Sequence, residues 1–292
     1  MSTTTSLSSG ARLLLSSLDH NQTALDRVLY RLGSGSRLLA AGDDPAGTGA
    51  AAKADSQQAR LDAASVNIQN GISRLQSTSS YLTSLNSTLT RMNELATFAR
   101  NEVQDPADVA LYKSEFIQLQ EHLRSVIGGS QAETGGVADI TDPLGAYNGT
   151  PLFGADGGSL LAIGIHADET VQLPVINLRT GATLSLITQD AGGSFTFDFS
   201  DPDAVSVLNE AIGQVTAGLT AVGSVESRLD YAAGTLESTG TALESKLSRI
   251  RDVDVAASTT ALARLQVLTQ AHVSMLRRAD DMNSKLLSLL AT

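Results

Sequence analysis

The chain has 292 residues with 31 acidic and 20 basic side chains, a formal net charge of −11. That balance disfavours nucleic acid as a partner, because such binding is driven largely by phosphate neutralisation. Cysteine and tryptophan are absent and aromatics make up only 4%, which excludes disulfides, thiol catalysis and cysteine-based zinc sites and leaves few rigid side chains for a ligand pocket.

Leu, Ala, Ser and Thr carry the apolar and polar roles instead, which suits long helices in lateral contact within one large or two modest domains. The opening "MSTTTSLSSGARLLLSSLDH" has a lone Arg and a three-Leu run, too short for a secretory signal. No stretch approaches the roughly 18 apolar residues of a membrane span. The expectation is a soluble protein without a membrane partner, unless it leaves the cell by a route that reads no such signal.

The first segment follows a heptad register. Ala11, Leu14, Leu18, Asn21, Leu25, Val28 and Leu32 are spaced alternately three and four apart, and only Asn21 is polar. A core helix would show the same stripe; its place at one end of the chain favours contact with another chain. "LGSGSRLLAAGDDPAG" at 32–47 follows. Its glycines invite comparison with a phosphate loop, but Thr48 and Gly49 stand where Lys and Ser/Thr are needed. Asp43 and Asp44 would also place two carboxylates in the anion site, and no strand precedes a dinucleotide fingerprint. The better reading is a joint between helices, with Gly33 and Gly35 ending the first, Asp44 capping the second and Pro45 opening it.

The second helix is expected to reach about Asn101. Ile68, Ile72 and Leu75 form one seam; Leu82, Leu85, Leu89, Met92, Ala96, Ala99 and Val103 form another. The phase slips between them, so a kink or change of partner is expected near 77–80. Pro106 breaks the pattern, Asp105 caps a helix over 107–127, and Gly128-Gly129 ends it. From 130 to 202 short β-type runs appear: "LLAIGIHA", "TVQLPVINL", "ATLSLIT" and "SFTFDFS", the last alternating Phe195, Phe197 and Phe199 with polar residues. This reads as hairpins on the helices, since some 70 residues with few aromatics make a marginal core of their own.

The returning arm is a single long register: Leu208, Ile212, Val215, Leu219, Val222, Glu226, Leu229, Ala233, Leu236, Gly240, Leu243, Leu247 and Ile250. Nothing that long is stable alone in water. Burying each Leu, Ile or Val contributes roughly 1.5–3 kcal/mol, so this stripe demands a partner, the second helix folded back antiparallel. A last helix ends in the apolar run Leu286, Leu287, Ser288, Leu289, Leu290, a liability for a monomer that becomes an assembly surface beside the stripe at the chain's other end.

Sites of chemistry are sparse. His20, His122, His166 and His272 lie in unrelated segments without H-E-x-x-H spacing, and no G-x-S-x-G marks a nucleophile. Asp252 and Asp254 alone are a weak cation site. No enzyme activity and no cofactor are expected.

Several motifs in fixed order carry a resemblance: "LGSGSRLLAAGDDPAG", "NIQNGISRLQ" at 67–76, "RMNELA" at 91–96, "YNGTPLF" at 147–153, "SRIRDVDVA" at 248–256, "ARLQVLTQAHVSML" at 263–276 and the final "LLSLL". Together they resemble bacterial flagellins over roughly the first 155 and last 85 residues. Gly33, Leu38, Pro45, Arg251, Ser258 and Asp280-Asp281 depart from the family pattern without breaking a helix register.

The resemblance implies a mainly α fold: a long antiparallel helical coiled-coil rod with terminal helices and a small β-hairpin-rich insertion. Residues 1–44 would be a tube helix and spoke, 45–129 and 205–251 the rod, 130–204 the insertion and 252–292 the second tube helix. It implies tube contacts with identical subunits through Leu14, Leu18, Leu25, Val28, Leu32, Leu265, Leu268, Leu276, Leu286 and Leu290. The rod seam would use Ile68, Ile72, Leu75, Leu82 and Leu89 against Leu208, Ile212, Val215, Leu219, Leu229, Leu236, Leu243, Leu247 and Ile250. It further implies a secreted subunit of the extracellular filament, exported unfolded by the flagellar type III apparatus. Its partners would be the cap, the hook–filament junction proteins and an export chaperone at the C-terminal helix. Arg91, Leu95 and Glu115 fall near positions where an innate-immune receptor binds some relatives. The hook–filament junction protein itself is the alternative, which agreement at "NIQNGIS" and "LLSLL" disfavours.

Overall fold

The computed structural model describes residues 2–100, 105–155, 158–164, 166 and 168–290, with the side chains of 2–9, 11, 283 and 286–290 outside that description. Val103 of the expected seam lies outside it. The elements in order are α1 (Ser2–Ser34), α2 (Pro45–Ala99), α3 (Pro106–Ile127), α4 (Gln131–Thr134), β1 (Ala146–Tyr147), β2 (Thr150–Pro151), β3 (Leu160–Ala162), β4 (Thr170–Gln172), α5 (Gly181–Ile187), α6 (Ala204–Arg251) and α7 (Val255–Leu290). The fold is mainly α with short antiparallel strand pairs, β1 with β2 and β3 with β4, as expected. Two units are formed: Met1–Gln58 with Gly240–Thr292, and Ala59–Thr239.

Within Ala59–Thr239, α2 and α6 run antiparallel. Leu229 of α6 lies over Gly71, Leu82 lies over Gly218, and Asn93 Nδ2 donates to Asn209 Oδ1 at 3.0 Å. The buried column on α2 is Leu61, Ala64, Ile68, Gly71, Leu75, Thr78, Leu82, Leu85, Leu89, Met92 and Ala96, alternating three and four without interruption. The phase slip and kink expected near 77–80 are therefore absent. Gly71 and Thr78 fill the positions that an apolar pattern leaves blank, while Ile72 stands half-buried beside the column. The hydroxyls of Ser77, Thr78 and Ser80 bond back to carbonyls four residues earlier, so they need no partner outside the helix. A methyl added at Gly71 would stand 2.5 Å from Leu161 Cδ2 and 3.2 Å from Leu229 Cδ1, so these leucine side chains would have to shift to admit it.

On α6 the buried positions are Ala204, Leu208, Ala211, Val215, Gly218, Val222 and Leu229. The larger Ile212 and Leu219 lie half-buried alongside. α3 closes the third side. Asp105 accepts from the Ala107 N–H at 2.9 Å, Pro106 opens the helix, and Gly128 ends it at φ 67°. Phe116, Leu123, Val126 and Ile127 face the same core.

Two of the four β-type runs are not strands. The run at 182–188 falls in α5 (Gly181–Ile187), with Ala182, Thr183, Leu186 and Ile187 buried at a helical spacing that a short apolar run cannot distinguish from a strand. Gln214 Oε1 accepts from the N–H and hydroxyl of Thr183. Phe197 and Phe199 turn inward as expected and pack on a helix, whereas Phe195 is half-buried and bridges to Gln189. Phe116 sits 6.2 Å from the ring of Phe197 and 5.5 Å from that of Phe199. Gln120 Nε2, fully buried, donates to the carbonyls of Leu186 and Phe197, beside a short antiparallel bridge between Gln189 and Phe195. The other two runs contribute only β3 and β4.

Arg124 ties this excursion down. It is nearly buried, and its guanidinium donates to the carbonyls of Thr134 and Ile187 (2.8 and 3.0 Å) and of Gly135 (2.7 Å). Its hydrogen-bond partners are all backbone carbonyls, and burial pulls its pKa below the ordinary guanidinium value. Arg124→Met strips three carbonyls of a charged donor and is expected to cost about 2–4 kcal/mol. Thermal unfolding checks the loss, and hydrogen exchange should show it concentrated between 130 and 190; an unchanged midpoint would contradict this role.

Candidate assembly surface

The stretch 32–47 is a joint. Gly35, at φ 68°, terminates α1, as its lack of a Cβ allows. Asp44 Oδ1 accepts from the Gly47 N–H at 2.8 Å, and Asp43 accepts from the N–H groups of Leu39 and Ala40. Both carboxylates are thus turned onto the chain's own donors, which disposes of a phosphate loop.

A second crossing lies beside it. Ser36 and Asp252 form an antiparallel bridge, the Val253 N–H donates to the Gly35 carbonyl, and the Arg37 N–H donates to Arg251 O at 2.6 Å. Arg251 pairs with Asp55 through both Nη atoms, at 3.0 and 2.6 Å. Asp252 accepts from the Ser248 hydroxyl, and Asp254 caps α7 by accepting from the Ala257 N–H. Neither of the two carboxylates singled out as a cation pair is left without a bond.

These crossings set α1 and α7 antiparallel. Asn21 fixes their register: buried in the seam, its Nδ2 donates to the Leu265 carbonyl at 3.1 Å and to Thr269 Oγ1 at 3.0 Å. Leu14, Leu18, Leu25, Val28 and Leu32 share its stripe and are half-buried, as are Leu265 and Leu276 on α7. The heptad stripe expected to meet identical neighbours is thus turned toward the other terminal helix of the same chain. Two amphipathic segments of one chain satisfy each other first because they are always at high local concentration. Leu268 stays exposed, and the side chains of Leu286 and Leu290 lie outside the described residues.

What the hairpin leaves open is a different set. On α1, Leu13 is 70% exposed and Tyr30 71%, with Leu15 and Leu29 also exposed; on α7, Val255, Val267, Leu268, Val273, Met275 and Met282 are exposed. The sequence reading missed most of these because it followed one stripe. The available signal was that each helix carries apolar residues on more than one line.

The residues assigned to the rod seam fall in two groups. Ile68, Leu75, Leu82, Leu89, Leu208, Val215 and Leu229 are buried, whereas Ile72, Ile212, Leu219, Leu236, Leu243, Leu247 and Ile250 are half-buried. Of the residues marked for a receptor, Leu95 has 0% of its surface exposed and is core. Arg91 bridges α2 and α3, donating to both Glu115 oxygens at 2.7 and 3.1 Å and to Glu94 at 2.9 Å. These hydrogen bonds, Glu115 first, raise the Arg91 pKa, and Arg91 holds the Glu115 carboxyl below its ordinary value.

Charge is divided unevenly. Of the 31 acidic and 20 basic side chains, 21 and 8 fall in Ala59–Thr239, leaving 10 and 12 in the unit that carries α1 and α7. The unit with open apolar faces is close to neutral, so copies of it can approach without strong repulsion.

Asn21→Leu is expected to keep both helices while loosening their register, because a single polar seam residue specifies alignment rather than stability. The chain lacks cysteine, so spin labels at Gln22→Cys and Gln266→Cys report one distance in subunits diluted with unlabelled protein. That distance should be narrow for the native seam and broad for the variant; equal widths would contradict the role given to Asn21.

The family pattern for the bacterial flagellin N-terminal helical region matches residues 6–133, and that for the C-terminal helical region matches 205–290. A flagellin of Halalkalibacterium halodurans is 30% identical over 265 residues, spanning 90% of this chain and 91% of that protein. A flagellin of Bacillus subtilis is 30% identical over 94% of this chain and 96% of its own length. The flagellar filament 33 kDa core protein of Treponema phagedenis is 28% identical over 94% of each. With paired terminal helices, a helical core and this agreement along nearly its whole length, the chain belongs to the bacterial flagellins, the structural subunits of the extracellular flagellar filament.

Proposed function

We propose that the α1–α7 hairpin is the polymerisation element of this filament subunit and that its open apolar faces meet the hairpins of identical neighbours. The observation that carries this reading is the placement of ten large apolar side chains, Leu13, Leu15, Leu29, Tyr30, Val255, Val267, Leu268, Val273, Met275 and Met282, on the outside of two paired helices. Isolated exposed apolar residues are ordinary, but a concentration along one hairpin marks an interaction surface. Burying five of them contributes roughly 1.5–3 kcal/mol each. That sum is of the same order as the roughly 4–15 kcal/mol lost in fixing a subunit. Growth therefore needs most of the set at once, which makes addition at a filament end, where several neighbours are present, more favourable than pairing in solution.

On this reading residues 32–47 act as the spoke between the hairpin and the unit Ala59–Thr239, and the acidic balance of that unit suits a solvated face. The subunit travels through the flagellar type III export apparatus and is added beneath the cap at the growing end, the first subunits meeting the hook–filament junction proteins at the base. An export chaperone would cover α7, whose exposed Val267, Val273, Met275 and Met282 are the more hazardous for being presented together. At an immune receptor only Arg91 and Glu115 could take part, because Leu95 is enclosed.

Leu15→Glu or Val267→Glu places a carboxylate where an apolar neighbour must pack. Each should slow elongation from sheared filament seeds by about tenfold or more, with the far-ultraviolet circular dichroism of the monomer unchanged. Elongation at the native rate would contradict the placement of the polymerisation surface on this hairpin.

A further inference from the structure

We propose that Met275 and Met282 are oxidation sites through which a peroxide arrests the free subunit before it polymerises. The chain has neither cysteine nor tryptophan, so its thioethers are the side chains a peroxide attacks first. There are four methionines, and Met1 lies outside the described residues. Of the other three, Met92 is fully buried in the core, whereas Met275 is 53% and Met282 57% exposed. They are seven residues apart on α7, and Leu268 stands seven before Met275, so the three form one exposed line along the helix. That line borders the seam with α1 and is part of the surface assigned above to neighbouring subunits. The inference rests on that assignment.

The chemistry needs only a hydroperoxide such as hydrogen peroxide. A sulfur lone pair attacks one peroxide oxygen, the O–O bond breaks and an S–O bond forms. The departing hydroxide collects the proton from the transferred oxygen and leaves as water. Sulfur is oxidised by two electrons and the peroxide is reduced by two. The product is a polar, chiral sulfoxide where a flexible apolar side chain stood. Two such groups on one line must be desolvated to pack against an apolar neighbour, with no donors provided for them. Oxidised subunits should therefore fail to add, whereas subunits already in the filament have these sulfurs covered. Met92 supplies an internal reference, since the same reagent acting on folded protein cannot reach it.

The test is to treat the full-length monomer with hydrogen peroxide, remove the reagent and follow elongation from untreated seeds. Peptide mass spectrometry should place one added oxygen on Met275 and one on Met282 well before Met92 gains any. Elongation should fall by about tenfold or more and return after incubation with methionine sulfoxide reductases. The double variant Met275→Leu, Met282→Leu, which keeps Met1 and Met92, should elongate equally before and after peroxide; the single variants should each retain part of the sensitivity. Normal growth of the oxidised native chain, or full peroxide sensitivity of the double variant, overturns the proposal. Running Val267→Glu beside these separates the two readings. If it blocks growth while the oxidised native chain grows, only the oxidation proposal falls; if both grow, the polymerisation surface itself is misplaced.

Discussion

The apolar stripe of a long helix must be covered, and every feature of this chain follows from how that demand is met. A helix of 48 or 55 residues gains too little from its own hydrogen bonds and propensity to persist in water, so a neighbour has to supply the stability. α2 and α6 supply it to each other by running antiparallel, with α3 on the third side, Leu229 seated over Gly71 and Leu82 over Gly218. α1 and α7 do the same for one stripe, locked in register by Asn21, and then run out of partners within the chain. The first solution is a closed core; the second leaves large apolar side chains of both helices exposed.

The excursion between α3 and α6 meets the same demand with few regular elements. Its strands are two or three residues long, too short to hold themselves together. Stability comes from packing onto helices: the rings of Phe197 and Phe199 against Phe116, Gln120 donating to the carbonyls of Leu186 and Phe197, and Arg124 gathering carbonyls from two separate segments. A buried cation is costly unless its donors are met, and Arg124 meets this demand with three backbone carbonyls drawn from separate segments.

Much of this was legible in the sequence. Helix boundaries were marked by residues with a direct physical role, Asp44 and Asp105 as caps, Pro45 and Pro106 at the first turn, Gly35 and Gly128 at the ends, and α6 announced itself by thirteen positions in one register. The apparent break in α2 arose because pattern reading scores side chains for size, whereas burial at Gly71 and Thr78 depends on what lies opposite. The run 182–188 was misread because a few apolar residues fit either period, and only contact with Gln214 and the core selects the helix. Arg124 gave no local sign, since its partners lie 10 to 63 residues away. The outward faces of α1 and α7 were hidden by the more regular stripe that turns inward.

A subunit built this way keeps a core in Ala59–Thr239, and the surface proposed for polymerisation lies on the first and last helices. The near neutrality of the latter unit and the acidity of the former fit that division, one part approaching its copies and the other remaining solvated. The most direct test is analytical ultracentrifugation of a chain trimmed to residues 35–254, compared with the full chain under conditions where seeds elongate. The trimmed chain should sediment as a folded monomer and leave the seeds unchanged. If it grew into ordinary filaments, the cover that holds subunits together would have to come from somewhere other than α1 and α7.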